Sequence, residues 1–411
     1  MRSIGIVGGG HAGLQLGIGL RQRGYEVTIV TDRAPEDVRN GRIMSSQGMQ
    51  RTALQYERGL GLAFWDDIAP GHDFIEFSLG GENRQRAIHW RAPVPSPGNS
   101  VCQRIKIPRW SEEFTRLGGA LEVRAAGIED LEALARRHDL VVVAAGKGEI
   151  GKLFARDAER SPFDKPMRAL ALTYVVGMEP TRPNRGVTFN AAPGVGEYFV
   201  MPALTTTGEC EIMVLEGLPG GPMDCWADVR TPSEHLKRSS EVLERFFPWE
   251  AARCRHIELT DANGILAGRF PPVVRKPVAA LPSGRLILGI ADVVMLNDPL
   301  TGQGSNNASK FAQHYLERIV MRGSAPFDRG WMENTFESYW HERGRLTAEW
   351  SNRLLLPPGP PMQAILHAAE HNQAIARHFV ECFDDPPRFF PWLFDLDAAE
   401  GLFGPIEQAA A

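Results

Sequence analysis

Apolar and polar positions repeat with two different periods along this chain of 411 residues, and the switches between them outline its elements. Ser3–Val7 is a short apolar run of the kind buried strands make. A helix-period run follows (Leu14, Leu16, Ile18, Leu20), closed by Gly24, and Tyr25–Val30 reads as a second strand. Asp139–Phe154 opens as a strand ending in Ala-Ala-Gly. From about Met167 to Gly268 short apolar runs alternate with turn residues, as in GEYFVMPAL and CEIMVLEG, predicting an antiparallel sheet with one helix over His235–Phe247. Arg285–Ile290 is another strand. DPLTGQGSNNAS (Asp298–Ser309) is too polar and glycine-rich for one, and a helix period resumes at Phe311, Tyr315 and Leu316. From Trp331 onward the pattern is helical and aromatic-rich, broken sharply by LLLPPGPP at Leu354–Pro361.

Bulk properties narrow the class. The length suffices for two or three domains, and 43% hydrophobic with 23% charged residues is an ordinary globular composition. A net charge of −5 and the absence of a basic stripe argue against nucleic acid as a partner. The histidines never adopt a metal-ligand spacing. The five cysteines are scattered, so reduced thiols and a cytoplasmic location are expected. The first residues form a strand pattern, so no signal peptide is expected, and no stretch has the roughly 18 uninterrupted apolar residues of a membrane span.

Between the first strand and the first helix lies GGGHAG, Gly8–Gly13. Strand, GxGxxG, helix and strand within about 30 residues is the context of a dinucleotide-binding turn. Gly8 makes the tight turn, Gly10 lets backbone N–H groups reach a pyrophosphate, and Gly13 allows close helix–strand packing; His11 and Ala12 open the helix there. Thr31 takes the usual position of the ribose-binding acid and Asp32 comes one residue later. Asp32 reaches a ribose hydroxyl or simply turns the chain before Pro35. This motif alone does not separate NAD from FAD.

The stretch GRLILGIADVVMLNDPLTGQGSNNAS resembles the second FAD motif of the p-hydroxybenzoate-hydroxylase-like flavoproteins, with Ala291 where that family usually has glycine. The resemblance implies that Asp292 binds ribityl or ribose hydroxyls and that Pro299 walls the isoalloxazine ring. It also implies that the loop from Gly302 through Gly304, Ser305 and Asn306 faces the pyrimidine end of the ring. Ser305 or Asn306 can cap the following helix. A helix N-terminus suits the negative charge that a reduced flavin carries near N1 and O2.

Together with SIGIVGGGHAGLQLGIGLRQ, VTIVTDR, GKLF, SPFDKP and EWSN, these residues resemble the FAD-dependent oxygenase component of styrene and indole monooxygenases, nearly end to end. That resemblance implies an α/β protein: a Rossmann-like FAD-binding domain (1–165 and 270–325), an inserted antiparallel-sheet substrate domain (166–269) and a helical C-terminal region (326–411). It implies reduced, diffusible FAD delivered by a separate flavin reductase, a C4a-hydroperoxide formed with O2, and epoxidation of a small aromatic alkene; a homodimer is compatible with it. Arg42 and Arg104 match arginines beside the flavin. Ser45 falls where the styrene enzymes are expected to carry an asparagine at the reacting edge. Phe199, Met201, Pro202 and Met213 are the pocket candidates, and His72 is read as a loop residue.

Two rivals remain on these grounds. A single-component NAD(P)H-dependent aromatic hydroxylase is disfavoured by Gly146-Lys147-Gly148, which replaces the Asp-Gly motif of such enzymes. The other is a non-oxidative FAD protein. A halogenase is less favoured because no Trp-x-Trp-x-Ile-Pro motif occurs.

Overall fold

In the computed structural model, residues 2–81, 84–145, 148–181 and 185–406 are described. Gly146 and Lys147, on which the missing Asp-Gly motif was read, lie outside them. Six strands form the first sheet, in the spatial order Val278–Ala280, Leu286–Gly289, Leu140–Val143, Ser3–Val7, Glu26–Thr31, Ala120–Val123. All neighbours run parallel except the Val278–Ala280 edge. These strands are near-continuous apolar runs because helices cover both faces. Helix His11–Gln22 packs on the Ile29 side through Gly17, whereas Leu134 and His138, in and just after helix Ile128–Arg137, meet Gly5 on the other.

Helix His11–Gln22 also touches helix Gln303–Arg322. Gln15 Nε2 donates to the Ser309 carbonyl at 3.2 Å, and the position of a Cβ on Gly19 would lie 2.5 Å from Leu316. Contacts that advance together along both helices make them parallel, so both N-termini point to the carboxyl ends of the strands, where ligands bind in open α/β sheets.

A nine-stranded sheet forms the second layer. Ala169–Val176, Val187–Ala192, Gly196–Thr205 and Gly208–Gly217 form its expected centre, but Gly71–Gly80 and Arg86–Ser100 extend it. The assignment of all of 1–165 to the first domain is corrected here: residues 71–100 hydrogen-bond into the second sheet. His72 likewise belongs to a buried strand rather than a loop.

Strand alternation divides the sheet's side chains. Tyr198, Val200, Met213 and Leu215 face helix Pro232–Phe246, which starts at a Thr231/Glu234 capping box. Phe199, Met201, Ile212 and Val214 face the opposite way, toward Ile43, Cys102 and Leu300. The C-terminal helices, with Trp350, Phe379, Phe389 and Trp392, cover the added strands at Ile75, Phe77, Ile88 and Trp90. Among the described residues, no helix is long and apolar enough to cross a membrane.

Candidate functional site

At the end of the first strand Gly8 has φ +116°, a conformation that L side chains rarely adopt, and a Cβ there would lie 2.8 Å from the Ala144–Ala145 backbone. Gly13 is held equally close, since its Cβ would lie 2.0 Å from the Gly8 carbonyl. Gly10, between them, faces open space: a Cβ there would meet nothing within 4 Å. Gly10 is the N-cap of the first helix and no side chain caps that end, so the helix's first N–H groups are left to a ligand. Such a turn fits a pyrophosphate.

His11 takes no part in that opening. Its ring turns inward, 3.1 Å from the Glu57 carboxylate and edge-on to Trp110, and burial lowers its pKa from the ordinary 6.5, so it is neutral. Only its backbone remains available to a ligand. Asp32 is exposed and 3.8 Å from Arg33, while the Thr31 side chain fills the space beside Gly9.

The second cradle starts at Ala291, whose φ of +53° explains why glycine suits this position, and Asp292 is exposed next to it. Asp298 accepts from the Leu300 N–H at 3.1 Å and starts the turn Pro299–Thr301. Gly302, at φ +64°, then begins helix Gln303–Arg322 as its N-cap. The expected Ser305 or Asn306 cap is therefore corrected. Asn306 instead clamps another segment: it accepts from Gln50 N at 2.7 Å and donates to the carbonyls of Gly48 and Gly302, both at 2.9 Å. A Cβ on Gly304 would meet nothing within 4 Å, so this helix end is open too. Two open helix N-termini at one end of the parallel sheet fit the pyrophosphate and the ring of an FAD.

The Asn306 clamp brings the 42–48 segment to the same place. Ser45 Oγ donates to Gln47 Oε1 at 3.1 Å and accepts from Gln103 Nε2 at 3.0 Å. Gln47 has φ +41° and donates to Tyr174 OH at 2.6 Å, and that hydroxyl donates to the Ser45 carbonyl at 2.7 Å. Backbone strain of this kind persists only where neighbours enforce it. Arg42 is exposed and has no side-chain partner among the described residues. Arg104, in contrast, is 2% exposed and forms a bidentate pair with Asp261, both bonds 2.9 Å. It lines a cavity of about 550 Å³ with Arg39, Asn40 and Thr205.

Of the pocket candidates, Phe199 and Met201 face this site; a Cβ on Gly48 would lie 3.1 Å from Met201 Sδ. Met213 is corrected: it packs on the far face with Trp226 and Leu243. Pro202 contributes its carbonyl, 3.0 Å from Nε2 of a His72 whose pKa burial lowers to about 4. Sequence reasoning missed Gln47, Tyr174, Gln103 and Asp261, none of which belongs to a local motif.

Phe199 opens an aromatic row. Direct cross-strand partners Phe199, Phe189, Phe77 and Trp90 stack at 5.6, 5.9 and 5.3 Å. Phe189, Phe77 and Trp90, with Leu300 and the Leu354–Pro358 stretch, line a mainly apolar cavity of about 1060 Å³. It begins beside the Pro299 turn, and its volume is at the upper end of small-molecule sites.

Residues 146–253 match the family model of the styrene monooxygenase A putative substrate-binding domain. Among solved structures, a triple mutant of the flavin-dependent brominase Bmp2 is similar at TM-score 0.67 and 16% identity, covering 97% of this chain and 98% of that one. The p-nitrophenol 4-monooxygenase PnpA from Pseudomonas putida is similar at TM-score 0.62 and 16% identity, covering 94% and 99%. At such identities the likeness establishes the fold, that of flavin-dependent hydroxylases and halogenases. Styrene monooxygenase StyA of Pseudomonas fluorescens is 31% identical over 398 residues, 94% of each chain, and StyA of a Pseudomonas species matches equally. With near-complete coverage at that identity, this chain belongs to the styrene monooxygenase StyA family of flavin-dependent monooxygenases.

Proposed function

We propose that this chain takes reduced FAD from a separate flavin reductase and uses O2 to epoxidise a styrene- or indole-like aromatic alkene held against the aromatic row. Family membership supports the reaction class. The observation that carries the reading is the pair of open helix N-termini at Gly10 and Gly304, one suited to the pyrophosphate and the other to the pyrimidine end of the flavin. Bound reduced flavin supplies the activation of O2 and the transfer of one oxygen atom.

The chain's own residues bind, orient and exclude water. Gly8, Gly10 and Gly13 shape the pyrophosphate turn, with the amides of His11 and Ala12. Asp292 takes hydroxyls of the cofactor, and Asp32 is placed for a ribose. Pro299 walls the ring, and the N–H groups of Gly304, Ser305 and Asn306 face its electron-rich edge. Ser45, fixed by Gln47 and Gln103, stands at the reacting edge with Arg42 beside it. Phe199 and Met201 hold the substrate's apolar body, while the Pro202 carbonyl is engaged by His72. Arg104 orients the nearby loop through Asp261. An alkene attacks an electrophilic oxygen without help from a protein base.

Oxygen consumption with chemically reduced FAD and a panel of styrenes and indoles, followed by product analysis, tests this. Epoxide formation without NAD(P)H is expected. Steady NADPH oxidation by the pure chain in the presence of substrate would instead point to a self-sufficient hydroxylase.

A further inference from the structure

Beneath the Pro299 turn the nine-stranded sheet buries more carboxyl groups than it has cations to match. Glu216 and Glu197 are direct cross-strand partners on the side facing the turn, and Asp298 enters from above. Arg168 is the cation among these groups, and four of its five N–H donors are committed. Nε and Nη2 donate to the two Glu197 oxygens at 2.7 and 2.8 Å, and Nη1 donates to the carbonyls of Met167 and Leu355 at 2.9 and 3.3 Å. Glu216 is 0% exposed, and neither of its oxygens has a hydrogen-bond donor. Its carboxyl instead lies within hydrogen-bond reach of Asp298, which is 1% exposed and already accepts from Leu300 N.

Two ionised carboxylates cannot share a dry contact, because each only accepts. We propose that Glu216 keeps a proton and donates it to Asp298, making Glu216 a positioning residue that fixes the Asp298–Gly302 turn against the flavin ring. Burial, together with the charges of Asp298 and Glu197, pushes the Glu216 carboxyl well above the usual carboxylate range, with Arg168 offsetting only part. Asp298 and Glu197 are raised as well, mainly by burial. The three carboxyls and Arg168 therefore titrate as one coupled group. Asp298 then accepts from two directions, the Leu300 amide and the Glu216 hydroxyl, and the turn carrying Pro299 cannot swing away without breaking one of them. The link to flavin rests on reading the Pro299–Asn306 loop as the ring cradle.

The full chain and its Glu216→Gln and Glu216→Ala variants test this in two stages. Without flavin, infrared spectra of the wild type should carry the carbonyl band of a protonated carboxyl that vanishes in Glu216→Gln. Above the ordinary glutamate pKa of 4.5 the folded chain holds a proton at Glu216 that the unfolded chain has lost, so the unfolding equilibrium constant of the wild type, divided by that of Glu216→Gln, should rise with pH by up to about tenfold per unit. With FAD, Glu216→Gln, whose amide N–H can still donate to Asp298, should bind reduced FAD within about threefold of the wild type. Glu216→Ala should lose at least tenfold. No protonated-carboxyl band, or the same pH dependence in wild type and Glu216→Gln, overturns the shared proton. A protonated carboxyl with unchanged FAD affinity in Glu216→Ala overturns its positioning role. If the wild type itself fails to bind reduced FAD, the cradle reading fails instead, while the flavin-free measurements still decide the proton.

Discussion

Lys106 Nζ donates to both oxygens of Glu57, at 2.8 and 3.0 Å, with each side chain only 2% exposed. With the neutral His11 ring against the same carboxylate, this pair underpins the start of the first helix. Burial alone would raise the Glu57 pKa, but Lys106 and His11 outweigh it and hold it low. A carboxylate depressed on folding gives stability that is present above its unfolded value of 4.5 and is lost as pH falls through the folded one. His11, lowered by burial, adds a loss that starts as pH drops through 6.5. Lys106→Met should cost about 3–5 kcal/mol by stranding Glu57, and Lys106→Met with Glu57→Leu should recover most of it. A double-mutant cycle in urea checks this; additive losses would contradict it.

Gly10 and Gly13 should separate binding from folding. Gly10→Ala adds a methyl to empty space, so its flavin-free melting temperature should stay near that of the wild type while FAD affinity falls at least tenfold. Gly13→Ala drives a methyl into the Gly8 carbonyl and should destabilise the fold itself by about 1–3 kcal/mol. Thermal melts paired with FAD titrations distinguish the two.

Ala291 holds a left-handed backbone at φ +53°. Ala291→Gly should relieve that strain and stabilise the chain by roughly 0.5–1 kcal/mol, whereas Ala291→Val, β-branched at the same φ, should destabilise it by more. Equal melting temperatures for all three chains would show that the conformation is not strained.

The helix N-terminus at Gln303–Ser305 should favour the reduced, anionic ring. Such a dipole contributes about 0.3–1 kcal/mol when exposed and up to about 2 when partly buried. Reduced FAD should therefore bind from about two to thirty times more tightly than oxidised FAD, and the bound midpoint potential should lie above the free one. Anaerobic titration of both redox forms checks this; tighter binding of oxidised FAD would contradict it.

Ala191 lines the large apolar cavity beyond Phe189. Ala191→Trp should raise KM for bulky aryl alkenes at least tenfold and leave styrene turnover within about threefold. Equal effects on both would place the substrate elsewhere.

Much of this was legible in the residues. The glycine turn, the parallel strands and the Asp298–Ser309 loop have short local signatures, because a tight turn or an open helix end dictates residue type over a few positions. The site's fixing contacts were not legible. Gln47 meets Tyr174, Arg104 meets Asp261, and Glu216 meets Asp298 across 82 or more positions, and none of these residue types is unusual at its own position. Met213 was misplaced because alternation says that neighbours face opposite sides without saying which side meets the cofactor. Strands 71–100 were missed as members of the second sheet because a strand's pattern does not name its partner.

Those strands have a mechanical consequence. The chain passes from the parallel sheet into the large one after Thr31, returns after Ser100, leaves again after Val143 and returns after Gly268. Four covalent tethers thus span the groove between the layers, where a hinged clamp would have one or two. Swinging the layers apart would strain all four at once. On the proposed function, flavin must therefore enter and leave a groove of fixed width, and the protein works as a rigid mould where a hinged enzyme would close like a clamp.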